Sequence, residues 1–147
     1  IVGGSSMKKF VLASMLCASL SLVPAKAETL YQQLGGYDAI SAVTKTLATK
    51  LVQDPVLGVY FKGLNNHHKE VLISHLTDFL CNATGGPCIY TGQNMKEAHT
   101  GLGITNADWD RFVQITQSVL NEYKVPPKLQ KELLEKLVPL KPAIVEK

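Results

Sequence analysis

The amino-acid sequence predicts an all-α domain, and two observations indicate this fold class. Apolar residues after position 27 recur at spacings of three and four, the period of one helix face, and no segment alternates like a strand ladder. Glycine and proline separate these apolar segments, as helix ends require, at 35–36, 54–55, 63, 85–87, 92 and 101–103. The sequence therefore predicts about six helices with glycine-rich joints.

The first half of the domain contains three of these predicted helices and one short helical piece. Thr29 can cap a helix over 30–34, which the pair Gly35-Gly36 ends. Asp38 can cap a second helix, which stops near Asp54-Pro55 because the residue before proline avoids the helical region. A short piece over 56–61 and a loop over 63–66 lead to a third helix over 67–83. The apolar stripe of this helix is Leu72, Leu76, Phe79 and Leu80, with Ile73 beside it.

The second half contains a short helix over 93–100 and two longer ones. Thr105 opens the first long helix, and Asp108 completes a capping box in place of the usual Glu. The residues expected on its buried face are Trp109, Phe112, Val113, Thr116 and Leu120. The last helix starts at Pro126 or Pro127, and Pro139 and Pro142 are expected to kink or fray its end. Its inward-facing residues are Leu129, Leu133, Leu134 and Leu137.

The net charge of +3 belongs to the beginning of the chain. Three of the 15 basic residues, and none of the 12 acidic ones, lie within the first 27 positions. That distribution leaves 12 basic and 12 acidic residues in the part that folds. A neutral domain without clustered Lys and Arg gives no indication of a nucleic-acid surface.

The first 27 residues have the organisation of a bacterial secretory signal peptide. Met7-Lys8-Lys9 precedes a mostly apolar run over 10–23, which is too short to span a membrane, and Ala25-Lys26-Ala27 provides a cleavage site. We expect cleavage after Ala27, no membrane anchor afterwards, and one domain over 28–147. Residues 1–6, ahead of Met7, resemble a cloning remnant. The protein is then expected to be periplasmic or exported, or cytoplasmic if the signal is not used.

Cys81 and Cys88 are the only cysteines after the predicted leader. An even number of cysteines in an exported chain favours a disulfide, and the turn-forming residues between them would let the chain bend back. Two unpaired thiols are the alternative, because the Cα separation decides between the two and the sequence does not contain it.

Histidine is the candidate for metal chemistry in this chain. No Gly-rich phosphate loop, serine elbow or zinc-protease motif is present, and the cysteine spacing does not suit a closed zinc site. His99 shares a helix face with Met95, and Ala98 keeps the adjoining surface small, so the imidazole can meet a flat apolar ligand while Lys96 meets a carboxylate. From spacing alone, a solvated His99 is the commoner outcome. His75 can point along the apolar stripe, or it can be a boundary residue with one nitrogen in water.

Short motifs along the chain resemble those of the group I truncated haemoglobins. They are LYQQLGG at 30–36, DPVL at 54–57, DFL at 78–80, GGP at 85–87, YTG at 90–92, MKEAH at 95–99 and GLGIT at 101–105. The resemblance covers residues 30–145, nearly all of the predicted mature domain. It implies a truncated globin, a two-over-two helical sandwich around haem b (iron protoporphyrin IX).

The resemblance also implies roles for individual side chains. His99 matches the proximal iron ligand, Phe61 the aromatic residue on the haem face, and Tyr90 and Lys96 positions near the propionates. The residues expected to contact the cofactor are Phe61, Leu72, Leu76, Tyr90, Met95, Lys96 and His99.

The opposite, distal side departs from the common family pattern. Ala48, beside Leu47, stands where many members have a tyrosine over the bound gas, and the usual polar positions carry Leu72 and Leu76. Tyr60 or Tyr31 are candidates to replace that tyrosine. His75, 24 residues before His99, matches the second axial histidine of cyanobacterial members and is expected to be a distal iron ligand or to lie at the haem edge.

The resemblance implies reversible binding of O2, NO or CO, with NO dioxygenation as associated chemistry that needs an external reductase. The chain itself contains no flavin or nicotinamide motif. The alternative function is that of a haem protein with two axial histidines, active in electron transfer or the redox stress response. Peroxidase activity is not favoured by a distal side with few polar residues.

Overall fold

The computed structural model describes residues 26–147, so almost all of the predicted signal peptide and residues 1–6 lie outside the described part. In that part the chain forms α1 (Leu30–Gln33), α2 (Gly36–Gln53), α3 (Asn66–Ala83), α4 (Met95–His99), α5 (Asn106–Glu122), α6 (Pro127–Leu137) and α7 (Lys141–Ile144). Two 3-10 helices lie at Leu57–Phe61 and Val138–Leu140. Residues 26–147 contain no strand, which confirms the predicted all-α class. No helix in this range is long and apolar enough to cross a membrane.

Local sequence signals place most helix ends close to their predicted positions. The capping box of Thr105 and Asp108 is formed, and Thr29 forms another with Gln32. The predicted cap of α2 was wrong. This helix starts at Gly36 after Gly35, whose φ of 103° turns the chain at once, and Asp38 lies inside the first turn instead. An acidic residue there still stabilises the positive end of the helix dipole.

The end of the chain stays helical past its prolines. Val138–Leu140 forms a 3-10 turn and α7 follows directly, so Pro139 and Pro142 each occupy one of the first two positions of a new helical segment. Proline is tolerated there because the N–H that it lacks has no partner within the helix. The last helix was predicted to kink or fray here, and the structure instead changes helix type at Val138 and stays helical to Ile144.

The core is built where α2 packs against α3 and α5. One cluster groups residues of α1, α2, α3, α5 and α6 around Trp109 and Leu120, and a second consists of Leu47, Leu51, Leu57 and Val119. The predicted buried face of α5 is correct for Trp109, Thr116 and Leu120, whereas Phe112 and Val113 are half-buried. Val119, which was not predicted, is fully buried because α2 covers a second stripe of α5. In α6, Leu134 is half-buried rather than buried.

Candidate functional site

His99 ends α4, and its imidazole is held in one orientation. Nδ1 lies 2.7 Å from the main-chain carbonyl oxygen of Met95, one helical turn earlier. Because a carbonyl oxygen can only accept, Nδ1 carries the proton and the lone pair of the neutral ring is on Nε2. The ring is half-buried. An imidazole whose Nδ1 donates to the backbone and whose Nε2 carries the lone pair is prepared to bind a metal ion.

The short helix α4 is fixed from both ends. At its start, the Asn94 side chain accepts a hydrogen bond from the Glu97 amide at 2.8 Å. After its end, the Glu146 carboxylate accepts hydrogen bonds from the amides of Gly101 and Gly103, at 2.7 and 3.3 Å, and α7 packs against α4. The contribution of Glu146 was not predicted. It lies 45 positions after Gly101 and 43 after Gly103, so no local sequence signal indicates these hydrogen bonds.

The apolar side chains predicted to contact the cofactor are partly exposed to solvent in the folded chain. Phe61, Leu72, Leu76 and Met95 are all half-buried, whereas the innermost residues of α3 are Thr77, Leu80 and Cys81. Apolar side chains that the fold leaves half covered can lose further surface to a bound apolar group, and this burial is favourable.

Tyr90 brings together the loop before α4 and the face of α3 that carries His75. Its ring stands edge-on to the rings of His75 and Phe79, with centroids 6.1 and 5.3 Å away. Its hydroxyl donates a hydrogen bond to the carbonyl oxygen of Gln93 at 2.5 Å. Burial raises the pKa of the Tyr90 phenol, so this group stays protonated as a donor.

The distal position predicted from the sequence is apolar in the structure. Ala48 and Leu47 are buried, with 3% and 4% of their surface exposed. One turn before Ala48, the hydroxyl of Thr44 lies 2.6 Å from that of Thr77, and both side chains are almost completely buried. This hydrogen bond joins α2 to α3 beside the distal position. Sequence reasoning missed it, although threonines on otherwise apolar helix faces are a signal for such a pair.

The two tyrosines proposed as substitutes at the distal position each have contacts of their own in the structure. The Tyr60 hydroxyl donates to the Asp108 carboxylate at 2.5 Å, which raises the pKa of Tyr60 and lowers that of Asp108. Tyr31 packs against Gly86, where an added Cβ would lie 2.5 Å from its ring. The Tyr60 hydroxyl is therefore engaged by Asp108, whereas a role for Tyr31 in place of the distal hydroxyl stays a prediction.

The turn that leads to Phe61 is tied to α5 by a bidentate ion pair. Arg111 donates from Nε and Nη2 to the two oxygens of Asp54, at 2.7 and 2.6 Å, and Asp54 also accepts from the amides of Val56 and Leu57. The guanidinium beside it holds the pKa of Asp54 far below its ordinary value. Asp54 therefore ends α2, starts the next turn and fixes both to α5.

Cys81 and Cys88 form a disulfide, with Cα atoms 5.7 Å apart. This resolves the alternative that the sequence left open. Cys81 is fully buried in the last turn of α3, and Cys88 lies two residues before Tyr90. The disulfide therefore closes the start of the loop that connects the helix of His75 to the helix of His99.

The model of the bacterial-like globin family matches residues 29–146. The chain belongs to this family. The group 1 truncated hemoglobin of Tetrahymena pyriformis is 32% identical over 122 residues, which are 76% of this chain and 98% of that protein. Group 1 truncated hemoglobin GlbN of Mycolicibacterium paratuberculosis is 30% identical over 120 residues, 82% of this chain and 86% of that protein. The crystal structure of the Tetrahymena pyriformis protein in its Fe(III) form gives a TM-score of 0.75 at 28% identity, covering 82% of this chain and all of that one.

Membership confirms three predictions for this truncated haemoglobin. The fold is that of the two-over-two globins, the cofactor is haem b, and the protein is a globin of the kind that binds diatomic gases. The roles of individual site residues remain predictions at this point.

The residues present fit a haem. The Nε2 lone pair of His99 is suited to iron, and half-buried apolar side chains from α3, α4 and the turn at Phe61 can cover a porphyrin. Lys96 is exposed on α4, and no described ion pair involves it, so its ammonium group can meet a propionate. Tyr90 supplies an aromatic ring at the neighbouring loop.

Proposed function

We propose that this protein binds O2, NO or CO reversibly at a haem held by His99, and that His75 competes for the other axial position of the iron. Haem iron supplies the gas-binding chemistry. The observation that carries the proposal is the hydrogen bond from His99 Nδ1 to the Met95 carbonyl, which directs the Nε2 lone pair outward from α4. The apolar surroundings of Ala48 and Leu47 suit a small uncharged gas.

The competing role of His75 is supported by its place on α3. His75 is half-buried, and its described ring contact is the edge-on approach of Tyr90. Imidazole is a good ligand for haem iron. Position 48 carries alanine, so no hydroxyl there competes with His75 for the distal side of the haem. The same residue supports the second candidate function, electron transfer with two axial histidines, and the fraction of iron that His75 binds decides between the two.

The absorption spectrum of the gas-free ferrous protein tests these roles. We expect split visible bands from a low-spin component bound by His75, and these bands should vanish in His75→Ala. His67→Ala is the matched control, because His67 lies exposed at the start of the same helix and should leave the spectrum unchanged. A single broad band in both the native protein and His75→Ala would remove His75 from the iron. Normal haem binding with an unchanged spectrum in His99→Ala would overturn the whole assignment.

The missing distal hydroxyl is tested by restoring it. Ala48→Tyr should slow O2 dissociation about 10- to 150-fold relative to Ala48→Phe, because one hydrogen bond to a partly charged ligand contributes about 1.5–3 kcal/mol. The phenylalanine variant has nearly the same volume and isolates the hydroxyl. Equal dissociation rates in the two variants, measured by stopped flow, would show that position 48 does not face the gas.

NO dioxygenation is proposed as a secondary activity that depends on a partner. The reaction NO + O2 + e⁻ → NO3⁻ consumes one electron per turnover, and the chain has no flavin or nicotinamide motif to supply it. A separate reductase is therefore required. NO consumption that is sustained only when a ferredoxin- or flavin-type reductase is added would support this activity, and a single turnover under the same conditions would count against it.

Export of the mature domain is also proposed. The predicted signal peptide and the Cys81–Cys88 disulfide support it, because disulfides persist in oxidising compartments. Fractionation of bacteria that express the whole chain, with mass spectrometry of the product, tests this proposal. A periplasmic protein that begins at Glu28 is the expected result, and an uncleaved protein in the cytoplasm would contradict it.

A further inference from the structure

The loop over 84–94, called the disulfide loop below, links the helix of His75 to the helix of His99. Its first part is well held. The Gly86 amide donates to the Cys81 carbonyl at 2.8 Å, and the Thr84 carbonyl accepts from the Tyr31 amide at 2.8 Å. Through these bonds the beginning of the loop is fixed to α1 and to the last turn of α3.

The second part of the disulfide loop is fixed in another way. Within residues 87–93, all of which the structure describes, no backbone–backbone hydrogen bond is formed. The Asn82 side chain attaches this segment to α3 by donating to the Cys88 carbonyl at 3.0 Å, whereas the bond from the Tyr90 hydroxyl to the Gln93 carbonyl lies within the segment. The disulfide is the covalent cross-link between this segment and α3, two residues before Tyr90, so we expect the position of Tyr90 to depend on it.

Tyr90 in turn restricts His75. The loop backbone lies so close to the tyrosine ring that an added Cβ at Gly92 would collide with it. The ring is therefore enclosed between Gly92 and the α3 side chains of His75 and Phe79. An edge-on aromatic contact of this kind contributes favourable energy beyond burial, and it holds the imidazole of His75 on the side of Tyr90.

We propose that the Cys81–Cys88 disulfide, acting through the ring of Tyr90, lowers the fraction of iron that His75 binds, and that reduction of the disulfide raises this fraction. Tyr90 is a positioning residue in this inference, which rests on the proposed competition between His75 and the gas. The disulfide accepts two electrons and two protons from a dithiol, which is itself oxidised to a disulfide, and two thiols form at Cys81 and Cys88. The half-buried Cys88 is the accessible end of the bond.

Azide binding to the ferric, haem-loaded protein tests the inference, because azide competes with His75 for the iron. The disulfide is reduced with a phosphine, which does not add a thiol ligand, and thiol titration confirms two free cysteines. We expect the apparent azide affinity to fall at least about fivefold on reduction, the lower end of usual coupling between two sites. The low-spin bands should grow in parallel. An unchanged affinity, or one that rises, overturns the inference.

Variants separate the disulfide from the ring. The double variant Cys81→Ser/Cys88→Ser should match the reduced protein and should not respond to phosphine. Tyr90→Leu should also match the reduced protein, whereas Tyr90→Phe, which keeps the ring but loses the bond to the Gln93 carbonyl, should bind azide more tightly than Tyr90→Leu. If Tyr90→Leu retains the azide affinity of the oxidised native protein, the ring does not transmit the effect and the inference is refuted.

His75→Ala distinguishes this inference from the proposed function. If His75→Ala alters azide affinity but reduction does not, the inference fails and the proposed function stands. If His75→Ala changes neither the spectrum nor the affinity in either disulfide state, both fail. The result expected is a higher azide affinity in His75→Ala that no longer depends on the disulfide.

Discussion

The Cys81–Cys88 disulfide should stabilise the domain by an amount that its loop length sets. It closes a loop of about eight residues, which in the chain-entropy description corresponds to about 2.5 kcal/mol. A domain of about 120 residues has an unfolding entropy of about 250 cal/mol/K near its melting temperature. Reduction should therefore lower Tm by about 10 °C.

Thermal unfolding of the haem-loaded protein, followed by circular dichroism with and without phosphine, measures this shift at equal haem saturation. The variant Cys81→Ser/Cys88→Ser is the control, because its Tm must not respond to phosphine. A decrease of less than about 3 °C, equivalent to less than about 1 kcal/mol, would refute the reasoning. It would mean that the unfolded chain already keeps these residues close together.

Three further predictions concern stability. Tyr60→Phe should destabilise the protein by about 1 kcal/mol at pH 7 after allowance for solvent screening. The hydrogen bond from Tyr60 lowers the pKa of Asp108, so the stability it contributes is present above the ordinary pKa of 3.8 and is lost as the pH falls through the pKa of the folded protein. The difference in urea midpoint between the native protein and Tyr60→Phe should therefore shrink below about pH 4. Gly86→Ala should cost about 1–3 kcal/mol, since its Cβ would meet the Tyr31 ring at 2.5 Å, and a neutral effect in urea unfolding would contradict the close packing. Leu120→Ala should cost about 2–5 kcal/mol because the side chain is 1% exposed, and a loss below about 1 kcal/mol would mean that the site collapses.

Much of the fold could be predicted because its signals are local. The capping box of Thr105 and Asp108 joins residues three apart, and Gly35 turns the chain within a single residue. The orientation of His99 is local too, since its Nδ1 reaches the carbonyl oxygen four residues earlier in the same helix. Short motifs were also enough to predict the family, which the comparisons confirm.

The sequence named candidate site residues but did not predict the partners that these side chains have in the structure. Tyr60 was a candidate at the distal position until the structure showed its bond to Asp108, 48 residues away. The two ring contacts of Tyr90 were likewise not predicted, because the sequence indicated a place near the propionates and not a neighbour for His75.

The sequence by itself determined the helices and their glycine joints, and its resemblance to a known family predicted His99 as the ligand for haem iron. Only the tertiary structure decided three pairings. The Thr44 hydroxyl forms a hydrogen bond with that of Thr77, Cys81 forms a disulfide with Cys88, and the Asp54 carboxylate accepts a bidentate ion pair from Arg111. The physical reason is one of range. Helix periodicity and capping depend on neighbours within one or two turns, whereas these partners meet only after separate elements have packed. Buried polar groups form hydrogen bonds, and which groups become buried together depends on how several helices pack and not on any one segment.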